Sequence, residues 1–253
     1  MSAFFALFIM GDSVPAQLFA TPIAPENSLD PLLGLSPIVD TVRRRLTYAQ
    51  SQTIYREFDL AQHWCCIVSG AARKYAVLAD GRRRIVDFLL PGDFFGFSVP
   101  QQHRFGAEAL MAGTTVVSYP RRMLETAADD DARIGRQVRD IVFNSIARSQ
   151  ARLLTLGRVT SIAKVGSFLL ELSQRSTGVS DEIVALPMSR YDIADYLALS
   201  VETVSRAFTD LKRCGAIRCL DHHRIRILDA EFLDDGLGRP GALKTKELAT
   251  ARR

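Results

Sequence analysis

No lysine or arginine precedes Arg43, no cysteine precedes Cys65, and no apolar run is long enough to cross a bilayer. Each lack excludes something. A spanning helix needs about 20 apolar residues, and the apolar stretch Ala3–Met10 falls well short of that. The same stretch has no positive charge before it, so it is not a secretory signal core either. The chain is therefore expected in the cytoplasm, without a membrane partner. The four cysteines, Cys65, Cys66, Cys214 and Cys219, include an adjacent pair and no C-x-x-C spacing, which excludes a disulfide framework and a zinc site. Ala3–Met10 fits no pattern below, so translation from Met10 is a further expectation.

What is present is a chain of 253 residues, 47% hydrophobic and 24% charged, enough for a sizeable core in two domains. A net charge of +4 with a pI near 9.0 permits a polyanionic partner. The cations recur through the last third, so the positive potential is concentrated there.

Residues 1–36, rich in Pro, Ala and Ser, read as a loosely ordered extension. Residues 37–128 read as an antiparallel β domain. Its strands are Cys65–Val68, Lys74–Leu78, Ile85–Leu90 and a closing Thr114–Tyr119, with Asp80-Gly81 as a hairpin turn. A long helix follows over 129–157, with Asp129, Asp130 and Asp131 at its N-terminus where the helix dipole favours them. Ile134, Val138, Ile141, Val142, Ser145, Ser149, Leu153 and Leu156 form one stripe along it. That stripe fits either packing on its own domain or a coiled-coil seam between two subunits, in which the small serines permit close approach. A second amphipathic helix stops at Gly178.

Residues 158–234 end in two short helical patterns across a turn, with apolar positions Ile193, Ala194, Leu197, Leu199, Val204, Phe208 and Leu211, and then a basic hairpin around Asp221-His222-His223 that reads as a wing. The tail from 235 to 253 reads as disordered. In the second short helix Glu202, Ser205 and Arg206 lie at offsets i, i+3 and i+4 and so share one side. Arg donates two parallel hydrogen bonds to guanine, Glu accepts from the cytosine amino group, and Ser lies against thymine, so the triplet suits base edges in the major groove of double-stranded DNA.

The order of β-roll, long helix and winged helix-turn-helix resembles the CRP/FNR family of bacterial transcription regulators over about residues 45 to 230. The resemblance is carried by Ser69-Gly70-Ala71-Ala72-Arg73, Asp80-Gly81-Arg82-Arg83-Arg84-Ile85, Leu90-Pro91-Gly92-Asp93-Phe94-Phe95-Gly96, Leu186-Pro187-Met188-Ser189-Arg190, Asp192-Ile193-Ala194-Asp195-Tyr196-Leu197 and Glu202-Thr203-Val204-Ser205-Arg206. These look most like the FNR/FixK branch. The resemblance implies an α+β chain with a cyclic-nucleotide-binding-like β-roll, a dimerisation helix and a winged helix-turn-helix. It also implies a homodimer in which Glu202, Ser205 and Arg206 read a TTGAT-N4-ATCAA palindrome, contact with RNA polymerase as an activator, and genes linked to low oxygen or nitrogen oxides. Ser189, Arg190, Ser200, Thr203, Lys212, Arg213, Arg224 and Arg226 are the expected backbone contacts. Family members usually have Gly where this chain has Ala198, which strains the turn if positive φ is needed there.

The signals of that family have no intact site here. Phe97 stands where cyclic-nucleotide binders carry a ribose-binding Glu, and Arg104 is followed by Phe105 in place of a hydroxyl residue. An iron-sulfur cluster needs four thiolates, and Cys65 and Cys66 on one strand point to opposite faces. No cofactor is expected. His63 and His103 remain as candidate haem ligands for a ligand-gated alternative, which could also take a small aromatic acid. Cys214 among Lys212, Arg213 and Arg218 is a candidate redox switch, or a structural thiol. An enzyme using Cys65 with His63 lacks an oxyanion-hole motif, so no enzymatic activity is expected.

Overall fold

The computed structural model describes residues 30, 32–34, 37–98, 101–175 and 183–236. The expectations for residues 1–29 and 237–253, for the Met10 start and for the Gly178 stop lie outside these. A short helix α1 (Pro37–Val42) precedes eight strands: β1 (Arg44–Tyr48), β2 (Thr53–Tyr55), β3 (His63–Ser69), β4 (Ala72–Val77), β5 (Arg83–Leu89), β6 (Phe94–Phe95), β7 (Gly106–Ala109) and β8 (Thr114–Pro120). They form two antiparallel four-stranded sheets, ordered β1-β8-β3-β6 and β2-β7-β4-β5. Ile67, Ala72, Leu89, Phe95, Ala107 and Val116 fill the space between the sheets. Gly81 turns the β4–β5 hairpin at φ +79°, as the Asp-Gly pair predicts. Gly70 is irreplaceable for a second reason: besides its φ of +80°, a Cβ there would meet the Thr114 hydroxyl at 2.6 Å.

Two boundaries differ from expectation. Asp30 and Leu32, assigned to a loose extension, are buried, with Leu32 and Val39 packed on Trp64 and Tyr119 outside the first sheet and the Tyr119 hydroxyl bonded to Asp30. A separate helix α2 (Arg121–Asp130) also intervenes before α3 (Ala132–Gly157), whose N-cap Asp131 accepts from the Arg133 N–H at 2.8 Å. Only Leu124 and Ala127 of α2 are buried, too thin a stripe to register as a helical period.

The C-terminal part comprises α4 (Ser161–Arg175), β9 (Ile183–Ala185), α5 (Arg190–Leu197), α6 (Val201–Arg213), β10 (Ile217–Cys219), β11 (Arg224–Ile227) and a closing π-helical turn, Phe232–Gly236. β9 joins the wing hairpin in a sheet ordered β10-β11-β9. It escapes the sequence reading because three residues carry no period. One continuous apolar cluster runs from β-roll residues Ala71, Ile85, Phe88 and Leu110 into Phe168, Leu172, Ile193, Leu197, Phe208 and Leu211.

Candidate nucleic-acid interface

α5 starts on a capping box. The Ser189 hydroxyl accepts from the Asp192 N–H at 3.1 Å, and the Asp192 carboxylate accepts in return from the Ser189 N–H at 2.9 Å. It ends at Ala198 in the left-handed region, φ +53° and ψ +49°, the strained conformation expected of that residue. Two residues later Ser200 caps α6, accepting from the Thr203 N–H at 3.1 Å. Val204, Ala207, Phe208 and Leu211 then hold α6 on the core. A helix so anchored exposes Glu202 and Arg206 and leaves Ser205 half-buried, on one side. The Glu202 carboxyl is held below its usual range by its own backbone N–H and by the Ser200 hydroxyl, with Arg206 contributing least.

The expected backbone contacts divide. Ser189 and Ser200 are exposed at the helix starts, with the Ser200 and Thr203 hydroxyls 2.9 Å apart. Lys212 and Arg213 are exposed at the end of α6, and Arg213 pairs with Asp210 at 3.1 Å. In the wing, Arg224 is exposed and paired with Asp221 at 2.7 Å, while Arg226 is half-buried. Arg190 is the correction. Its guanidinium lies over the Phe208 ring, 3.2 Å from the centroid, with Nη1 buried. Burial pushes it down to about 10, still ionised at neutral pH. A cation turned inward onto an aromatic face does not present itself to phosphate, and the adjacent Tyr191, exposed, stands on the surface in its place.

The stripe on α3 divides as well. Ile134 is 1% exposed, and it packs against the β-roll together with the half-buried Val138, Ile141 and Val142. Ser145 and Leu156 are half-buried, and Ser149 is exposed with its hydroxyl on the Ser145 carbonyl. The large apolar residues left uncovered on α3 are Phe143 (59%), Ile146 (48%), Leu153 (68%) and Leu154 (76%), about a quarter turn round the helix from the predicted stripe. Leu153 alone belongs to both sets.

Cys214 caps the end of α6, half-buried, with its thiol donating to the Leu211 carbonyl at 3.4 Å. Cys65 and Cys66 point to opposite sides of β3, into the two separate cores. Burial pushes the Cys65 thiol up to about 12 and the Cys66 thiol well above its usual range, while His63 is exposed, so the Cys65–His63 pair is not a nucleophile and base. Phe97, at the position expected of a ribose-binding carboxylate, packs its ring tilted against Trp64, centroids 5.0 Å apart. His103 is buried against Tyr55, ring centroids 3.7 Å apart, and burial holds it below its usual range. Beside it is a cavity of about 240 Å³, lined in part by Lys74, Arg104 and Phe105. No helix among the described residues is long and apolar enough to cross a membrane.

Residues 45–131 match the model of the cyclic nucleotide-binding domain, and residues 163–235 that of the Crp-like helix-turn-helix domain. The Nitrogen fixation regulation protein FixK of Rhizobium meliloti is 38% identical over 187 residues, which cover 74% of this chain and 84% of that protein. The Transcriptional activatory protein AadR of Rhodopseudomonas palustris is 32% identical over 198 residues, covering 77% and 82%. The structure of FixK2 from Bradyrhizobium japonicum superposes with a TM-score of 0.71 at 36% identity, over 78% of this chain and 98% of that one. Domain order, helix-turn-helix geometry and these likenesses agree: the chain belongs to the CRP/FNR family of DNA-binding transcription regulators, on its FixK-like branch.

Proposed function

We propose that the protein binds a TTGAT-N4-ATCAA-like palindrome as a homodimer and activates transcription through contact with RNA polymerase, at genes tied to low-oxygen or nitrogen-oxide metabolism. The observation that carries this reading is the side of α6: Glu202, Ser205 and Arg206 are displayed together while the opposite side is buried. In the groove Arg206 addresses guanine, Glu202 the cytosine opposite and Ser205 a thymine. The uncovered large apolar residues of α3, Phe143, Ile146, Leu153 and Leu154, support pairing with a second copy, since an exposed apolar stripe at helical spacing is the kind of surface that a helix–helix seam covers. A two-fold dimer sets two α6 helices about 34 Å apart, one turn of DNA, and so calls for a palindrome. Lys212, Arg213 and Arg224 add phosphate contacts that are independent of sequence. Activation and the metabolic setting draw on the branch resemblance and on the relatives named as an activator and as a nitrogen fixation regulator. A footprint on the palindrome tests the reading. Protection by the wild type that loses sequence preference in Arg206→Ala is the expected result; preference retained by the variant sinks it.

A second reading, gating by a small ligand, rests on the β-roll cavity, where Lys74 and Arg104 supply cations beside Phe105. A cavity of about 240 Å³ with this charged and aromatic lining suits a small aromatic acid. A rise in melting temperature with benzoate or a hydroxylated analogue supports it, and no shift across such a series eliminates it.

A further inference from the structure

The face of α5 turned away from α6 is occupied by arginines from other elements. Arg73 of β4 bonds through Nη1 to the Asp192 carboxylate while its Nε holds Glu108 of β7 at 2.8 Å. Arg84 of β5 donates to the Asp195 carbonyl at 3.3 Å and pairs with its carboxylate at 3.4 Å, and the Ile85 N–H donates to that same carboxylate at 2.5 Å. Arg152 of α3 donates to the carbonyls of Val86, Ile85 (2.8 Å) and Tyr196 (3.2 Å), with its guanidinium 4.4 Å from the Tyr196 ring centroid. Under this polar rim the rings of Phe88, Phe168 and Tyr196 pack with centroids 5.0 to 6.0 Å apart.

An apolar contact is non-directional and tolerates rotation of one element on another. A guanidinium fork is not so tolerant, because its donors diverge in a fixed plane. Three guanidinium groups, two from the β-roll and one from α3, each bridge their own domain to this one short helix and together restrict its orientation. They do so without touching the reading side of the motif, where Glu202 and Arg206 stay exposed. α6 is packed on α5 across the Ala198 turn, so orienting one orients the other.

We infer that Arg73, Arg84 and Arg152 are positioning residues for operator binding: by holding Asp192, Asp195 and Tyr196 they fix α6 relative to α3 and thereby select the half-site spacing that the dimer accepts. The inference rests on the palindrome-binding dimer proposed above. The clamp is built from the chain's own side chains and carbonyls, so spacing is set with no small molecule added.

Binding of the full chain to a set of duplexes, followed by fluorescence anisotropy, tests it. The set holds one isolated half-site and the palindrome with spacers one and two base pairs shorter and longer than N4. A wild type indifferent to spacing overturns the dimer reading itself, and this inference with it. Given a wild-type preference, Arg84→Ala and Arg152→Lys are expected to bind the half-site as before, lose about tenfold on the preferred palindrome, and discriminate little among spacers. Arg84→Asp behaves likewise, and adding Asp195→Arg restores the preference in part, through the ion pair alone and without the bonds to the Ile85 N–H and the Asp195 carbonyl. Spacer preference unchanged in the variants overturns the inference. So does an equal loss on every duplex that the charge swap does not repair, which marks damage to folding. Tighter binding to all duplexes overturns it too, since the docking then restrains α6 from DNA.

Discussion

α5 and α6 sit side by side, each begun by a capping serine and each burying one face in the same apolar cluster, yet their polar faces have opposite fates. On α5, Asp192 and Asp195 are engaged by Arg73 and Arg84 across the domain boundary. On α6, Glu202 and Arg206 face solvent. The difference teaches that a charged helical face has two uses. One whose partners are supplied internally fixes an orientation, and one left open is available to a partner from outside. Both are hydrophilic, and hydropathy alone cannot tell them apart.

Four substitutions break or sharpen that contrast, in descending order of effect. Leu211→Ala strikes what the helices share. Leu211 is fully buried, so its truncation should cost about 2 to 5 kcal/mol of stability and lower binding to all DNA alike, as read by chemical denaturation and anisotropy. Arg206→Ala strikes only the open face. Sequence discrimination should fall by about 1 to 3 kcal/mol per half-site with an unchanged melting temperature, and a drop in melting would show that Arg206 is structural. Asp192→Ala strikes only the engaged face. Loss of the carboxylate that accepts from the Ser189 N–H and of the Arg73 partner should cost about 1 to 2 kcal/mol, while half-site sequence preference is preserved. Ala198→Gly relaxes the turn between them. With φ at +53° the Cβ is strained, so Gly should stabilise by about 1 kcal/mol and raise melting by about 2 to 4 °C.

The elements that sequence discloses well are those with local grammar. The β4–β5 hairpin follows from Asp80-Gly81, and the α5–α6 pair from apolar spacing across a turn. Glu202, Ser205 and Arg206 are legible because helical geometry and groove chemistry point to the same three positions. β1 leaves no signal because it is an edge strand with four of its five residues exposed, so nothing forces alternation. α3 misleads for a different reason. It carries two apolar stripes, and periodicity cannot say which one its own β-roll will cover. The charge of Arg190 points to phosphate, but Phe208, eighteen positions on, receives it. Arg73, Arg84 and Arg152 carry no signal in sequence because their partners on α5 lie 44 to 119 residues away, beyond any local pattern.

Asp192 carries a consequence for how the molecule opens. Its carboxylate closes the first turn of α5 and also receives Arg73 from the β-roll, so neither bond can be lost without weakening the other. Fraying of this helix start and parting of the two domains are therefore one cooperative event. In native-state hydrogen exchange the Asp192 amide, which donates to Ser189, should share the opening free energy of residues buried at the domain boundary and not the low value of a frayed end.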